Sequence, residues 1–153
     1  MDITLSIKKI DVYDEVAKTT SYVGLKKIDT DDKLYDRVFT TDADRDLLER
    51  FWREACNAVT DEFKQFIISQ PGQTDNGIFT VDMSMPSSFD MNLVSSVEQS
   101  LLSFFINLIT SKWFSISNKG DAEYYQQETL ASGNEVRRKI FYRKKPQRVV
   151  PID

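Results

Sequence analysis

Between Glu98 and Lys112 the chain has a run of 13 residues without a charge. Around it, Leu93, Val94, Val97, Leu101, Phe104, Phe105, Leu108 and Ile109 recur at steps of three and four. Leu102 and Ile106 widen this stripe until apolar residues cover well over half of a helix circumference between 101 and 109. Such a helix needs cover on two or more sides, from other helices or from another chain. The run is too short to span a bilayer, so it reads as a core helix. A second long stretch, Asp42 to Ser69, carries Leu48, Phe51, Trp52, Ala55, Val59, Phe63, Phe66 and Ile67 on one broad stripe. Arg50, Arg53, Glu54, Asp61, Glu62 and Lys64 take its other faces. Thr41 is the expected N-cap, with Asp42, Asp44 and Asp46 where the helix dipole favours anions. Pro71-Gly72 ends the segment.

The remaining punctuation fills in the architecture. Ile3, Leu5 and Ile7 alternate with polar residues, which predicts a short half-buried strand or arm. Asp11 is placed to cap a helix carrying Val12, Val16, Thr19 or Thr20, and Val23, with Gly24 as its stop. Residues 29–40 read as an acidic connection. Asp75-Asn76-Gly77 signals a turn before a ribbon over 77–85, stopped by Pro86. This ribbon pairs either with the N-terminal strand or on a neighbouring subunit. Ser87 or Ser88 opens the apolar helix. Asn118-Lys119-Gly120 breaks the chain before a last helix over 121–143, which Ser132-Gly133-Asn134 splits in the alternative, leaving Lys139–Arg143 as a strand. Pro146 begins an extended tail over 146–153. The expected fold is mainly α: one helical domain over 1–145, a bundle of about four helices with a small β-ribbon and extended terminal arms.

Composition narrows the chemistry. The chain has 153 residues, no His, one Cys and five Gly. Without His the commonest general base, metal ligand and pH switch are missing. Cys56, between Ala55 and Ala58 in an amphipathic stretch, reads as a small buried apolar residue. The lone thiol and the absence of an Asn-x-Ser/Thr sequon favour a reducing, cytosolic setting. Lys8 and Lys9 follow the first apolar residues, the wrong order for a signal peptide. Asp42-x-Asp44-x-Asp46 mimics the opening of a calcium loop, but the sixth position is Leu47 and the twelfth Arg53, so it reads as an acidic helix start. Asp29, Asp31 and Asp32 read as a solvated loop. There is no phosphate-cradling Gly loop, Ser elbow or zinc-type cluster. The expectation is no catalytic residue, no metal and no cofactor. An enzyme with an unrecognised carboxylate site is the least favoured class.

Charge is divided by position. Residues 1–136 hold 13 Lys and Arg against 23 Asp and Glu, whereas the 17 residues from Arg137 hold seven basic residues against one acid. The basic residues are Arg137, Arg138, Lys139, Arg143, Lys144, Lys145 and Arg148, with Phe141 and Tyr142 between them. Three readings stand side by side. One is a solvated helix end. Another is docking onto an acidic protein surface, including the acidic body of a neighbouring copy. The last is a nucleic-acid backbone with aromatic stacking, the mark of a basic-tailed nucleic-acid-binding accessory protein.

The order of elements completes the picture: a short helix, an acidic connection, a long helix opening Thr41-Thr-Asp-Ala-Asp-Arg-Asp-Leu-Leu-Glu-Arg-Phe, a ribbon, a second long helix, and a basic tail with Phe-Tyr-Arg-Lys-Lys-Pro. This pattern resembles small virion proteins of tailed bacteriophages, especially the head–tail connector (adaptor, head-completion) type. Leu47–Ile67 and Leu93–Trp113 correspond to its two main helices, and the stretch from Arg137 to its docking arm. The resemblance implies a structural, non-enzymatic virion protein made in the bacterial host cytoplasm. It implies a homo-oligomeric ring, commonly twelvefold, between portal and tail, in transient contact with DNA and not with a membrane. Partner binding is then expected at Arg137, Arg138, Lys139, Phe141, Tyr142, Arg143, Lys144, Lys145 and Arg148. Contacts between subunits are expected at Ile3, Leu5, Ile7, Phe104, Phe105 and Leu108.

Overall fold

A computed structural model of the chain describes residues 2–27, 40–41, 44–69, 72–74, 77–142 and 151. The elements run β1 (Asp2–Lys8), α1 (Lys9–Lys27), α2 (Arg45–Glu62), β2 (Gly72–Thr74), β3 (Ile78–Ser84), a 3-10 turn at Met91–Leu93, α3 (Val94–Ser117) and α4 (Lys119–Ile140). The described residues thus form a mainly helical fold with a small antiparallel sheet, as the periodicities predict.

Alternation sets the sheet. β1 buries Ile3, Leu5 and Ile7, and β3 buries Phe79, Val81 and Met83. The two strands pair antiparallel over their whole length, from Asp2 opposite Ser84 to Lys8 opposite Ile78. The ribbon's partner is therefore the chain's own N-terminal strand. β2 pairs on the other side of β3, giving the order β1-β3-β2. Gly77 has φ +72°, a left-handed conformation that favours glycine, and its carbonyl accepts the Lys9 N–H at 2.8 Å. Asp75 and Asn76 of the predicted turn lie outside the described residues, as do residues 29–39 of the acidic connection.

The helices depart from expectation at their ends. α1 follows β1 without a break, so Asp11 lies inside its first turn, and the helix continues past a buried Gly24 to Lys27. Thr20 is fully buried on it; its hydroxyl donates to the Val16 carbonyl at 2.9 Å and accepts the Thr40 N–H at 3.1 Å. That contact returns the chain to the start of α2. There the expected cap is reversed: the Asp44 carboxylate accepts from the Thr41 N–H at 2.9 Å and its hydroxyl at 3.1 Å. Asp42 lies outside the described residues. α2 stops at Glu62, earlier than its stripe suggests, because Ile67 bridges to Met83 of β3. Phe63 and Phe66 still reach the core, but from turns.

α3 is the central rod. Asp90 accepts the Asn92 N–H at 3.0 Å and so caps the turn that leads into it. Phe105 is fully buried, its ring centroid 5.0 Å from Trp52 of α2 and 5.5 Å from Phe79 of β3. α1, α2, α4 and the sheet pack on the apolar stripe of α3, while Leu102, Ile106 and Leu108 stay half-buried. Among the described residues Met91–Ser117 is long and apolar enough, by length and composition, to cross a membrane; in the fold it is this core helix.

After Asn118 the chain folds back, and α4 packs antiparallel along α3. It is one continuous helix through Ser132-Gly133-Asn134 to Ile140, so neither the split nor a strand over Lys139–Arg143 forms as far as Tyr142. Gly133 is buried against the ring of Phe104, where a Cβ would lie 3.5 Å from Cε2. The same packing places the side chains expected between subunits. Ile3, Leu5, Ile7, Phe104 and Phe105 are buried in the chain's own core, and Leu108 is half-buried against it. The pairing of β1 with β3 and the packing of α4 on α3 take up most of this apolar surface within the chain, while Leu108 keeps part of its own exposed.

Candidate functional site

The sequence-predicted docking residues divide sharply. α4 places Arg137, Arg138 and Lys139 in its last turn. Arg137 turns inward: its guanidinium lies 5.7 Å from the Phe63 ring centroid, pairs with Glu62 and donates to Asn134 at 3.3 Å. Lys139 lies along α3, donating from Nζ to the Ser100 hydroxyl at 2.6 Å and the Ser96 carbonyl at 3.2 Å, with Glu135 at 3.2 Å. These two cations fasten α4 to α2 and α3, so their role is internal. Arg138 is exposed and makes no ion pair among the described residues. Phe141 is 54% and Tyr142 50% exposed, although each is large and aromatic. Phe141 is held edge-on to Phe66, centroids 5.5 Å apart, and its N–H closes on the Arg137 carbonyl at 3.1 Å. Among the described residues this helix end therefore presents one cation outside any ion pair, Arg138, and two exposed aromatic rings. Arg143, Lys144, Lys145 and Arg148 lie outside the described residues.

A second concave site lies where α1, α2 and β3 begin. The cavity, about 400 Å³, is lined by Ile10, Tyr13, Arg45, Leu48, Glu49 and Ile78, among others. Lys9 Nζ sits 2.7 Å from Glu49 Oε1 and 5.9 Å from the Tyr13 ring centroid. The Tyr13 hydroxyl is buried without a well-formed hydrogen bond among the described residues, and the Glu49 carboxylate stands beside it. Burial first, and then the Glu49 charge, push the phenol's pKa far above its ordinary value of 10.0. Tyr13 thus remains a proton-bearing donor, not a base. This corner is invisible in the sequence, because its residues come from separate elements joined only by the fold.

Other chemistry is muted. Lys112 of α3 meets Glu54 of α2 at 2.8 Å, and this hydrogen bond, with the lysine's charge, holds the Glu54 carboxyl below its ordinary range. Cys56 is buried, as its neighbours suggested. No group of His, Cys, Asp and Glu among the described residues could hold a metal ion. Compared with known proteins, the chain matches no protein-family model, no curated protein and no solved structure.

Proposed function

We propose that this chain is a structural, non-enzymatic connector protein of a tailed-phage neck, acting as a homo-oligomeric ring between portal and tail. The observation that carries the reading is the end of α4. Arg138, Phe141 and Tyr142 are exposed there, on a helix fixed to the body by Arg137 and Lys139. The four basic residues of 143–148 follow directly in sequence. A cationic, aromatic terminus carried on a rigid rod suits docking onto an acidic protein surface. The body of a neighbouring copy supplies one, since residues 1–136 carry 23 acids against 13 bases. An acidic ring interior would let DNA pass without sticking.

The test is electron microscopy of the purified chain beside a version ending at Tyr142. The full chain should form rings that salt weakens, and the shortened one should not, with equal helix content in both. Equal assembly of the two would refute the docking role. Tight, salt-dependent binding of duplex DNA that is lost with residues 143–153 would instead favour the nucleic-acid-binding class.

A further inference from the structure

Among the described residues the outer edge of β1 has no strand partner, and its sequence is complementary to itself. The Ile68 N–H donates to the Asp82 carbonyl and the Ser84 N–H to the Phe66 carbonyl, so even-numbered residues of β3 aim their main chain away from β1. By alternation Phe79, Val81 and Met83 face β1, opposite Ile7, Leu5 and Ile3. The main-chain groups of Asp2, Thr4 and Ser6 and the N–H of Lys8 therefore point outward. Ser6 confirms the direction: its N–H is taken by the Glu98 carboxylate of α3 at 3.1 Å. A seven-residue edge without Pro, blunted by one carboxylate, is a template for another strand.

We propose that the strand it takes is β1 of a second copy of this chain, laid antiparallel about a two-fold axis at Leu5. In that register Asp2 stands opposite Lys8 of the second copy, Thr4 opposite Ser6, Ile3 opposite Ile7 and Leu5 opposite Leu5. The even-numbered positions fall at hydrogen-bonded pairs and Leu5 at a non-hydrogen-bonded pair, which matches the outward direction of the even main-chain groups. Asp2 and Lys8 are both on the solvent-exposed face, so each end of the joint carries an opposite-charge pair. A slip of one residue would turn apolar side chains to solvent, and a slip of two would leave both charges unmatched. On pairing, the Ser6–Glu98 bond is exchanged for the two bonds of each Thr4–Ser6 pair. The two three-stranded sheets become one continuous sheet with both helical layers on the same face. This pairing is independent of the connector reading, which concerns the opposite end of the chain.

Sedimentation equilibrium of the full chain tests it. The smallest assembled species of the wild type should be a dimer in reversible equilibrium with the monomer. Thr4→Pro removes an outward N–H and leaves the main-chain bonds between β1 and β3 in place, losing only the Thr4 hydroxyl's bond to Asp82 Oδ1 at 2.6 Å, and should abolish the dimer with the circular dichroism unchanged. Asp2→Lys or Lys8→Asp alone should weaken the dimer about tenfold, and the two together should restore it. Glu98→Ala, which frees the edge, should tighten it. A wild-type chain that stays monomeric at every concentration would overturn the proposal. So would a dimer insensitive to Thr4→Pro, or, should that variant misfold, charge swaps that fail to rescue each other.

Discussion

Gly133→Ala should stabilise the protein, although the glycine is buried where α4 packs on Phe104 of α3. Gly in a helix interior costs about 0.8–1 kcal/mol relative to Ala. The added methyl would meet Phe104 carbons at 3.5 and 3.6 Å and Glu62 Oε1 at 3.9 Å, all ordinary contact distances. It would bury roughly one methyl group, worth up to about 0.8 kcal/mol before the neighbours adjust. A net gain of about 1 kcal/mol follows, or about 2–4 °C in melting temperature for a chain of this size. Gly133→Leu should do the opposite, because a branched side chain has to displace the Phe104 ring; overpacking of this kind costs about 1–3 kcal/mol. Thermal and urea unfolding of the three proteins measures both effects. If Ala lowers the melting temperature by several degrees, α4 is not a continuous helix closed on Phe104, and the account of the α3–α4 pair is wrong.

Three further outcomes are expected. Phe105→Ala should destabilise by about 3–5 kcal/mol in urea unfolding, because a fully buried ring between Trp52 and Phe79 leaves a cavity that neither neighbour can fill; a loss below about 1 kcal/mol would displace Phe105 from the centre of the core. Glu54 has a folded pKa below its ordinary 4.5, so its pair with Lys112 contributes above that value and is lost as pH falls through the depressed one. An NMR titration should show its carboxyl returning to the ordinary range in Lys112→Met, and an unchanged midpoint would contradict the pairing. Tyr13 and Tyr125 have raised pKa values, chiefly from burial, so the folded state should hold their protons and lose stability as pH rises above 10.0. Absorbance at alkaline pH should show a class of tyrosines ionising only with unfolding in the wild type, and Tyr13→Phe should shrink that class.

The periodic parts of the fold were legible, since periods of two and of three to four report burial directly. Ile3, Leu5 and Ile7 read as a half-buried strand and are one. The stripes of α2 and α3 face the core as their spacing indicates. Element ends were less legible, because tertiary contacts set them. α2 stops at Glu62 only because Ile67 is drawn into pairing with Met83, a partner 16 positions away. Gly133 looked like a breaker, yet α4 runs through it unbroken, because that face of the helix is buried against Phe104. The same limit applied to the sites. Seven basic residues in a short stretch were visible, but the inward turn of Arg137 and Lys139 depends on Glu62, Ser96 and Ser100 from other helices. The corner of Lys9, Tyr13, Arg45 and Glu49 has no local signature, because charge and aromatic ring meet only after α1 and α2 are side by side.

The claim on which the functional reading rests is that the exposed cationic end of α4 joins this chain to an acidic protein surface. Native mass spectrometry of the full chain and of the chain ending at Tyr142, at equal concentration and low salt, tests it most directly. The account predicts assemblies larger than a dimer from the full chain and none from the shortened one. The same distribution of masses from both would contradict it.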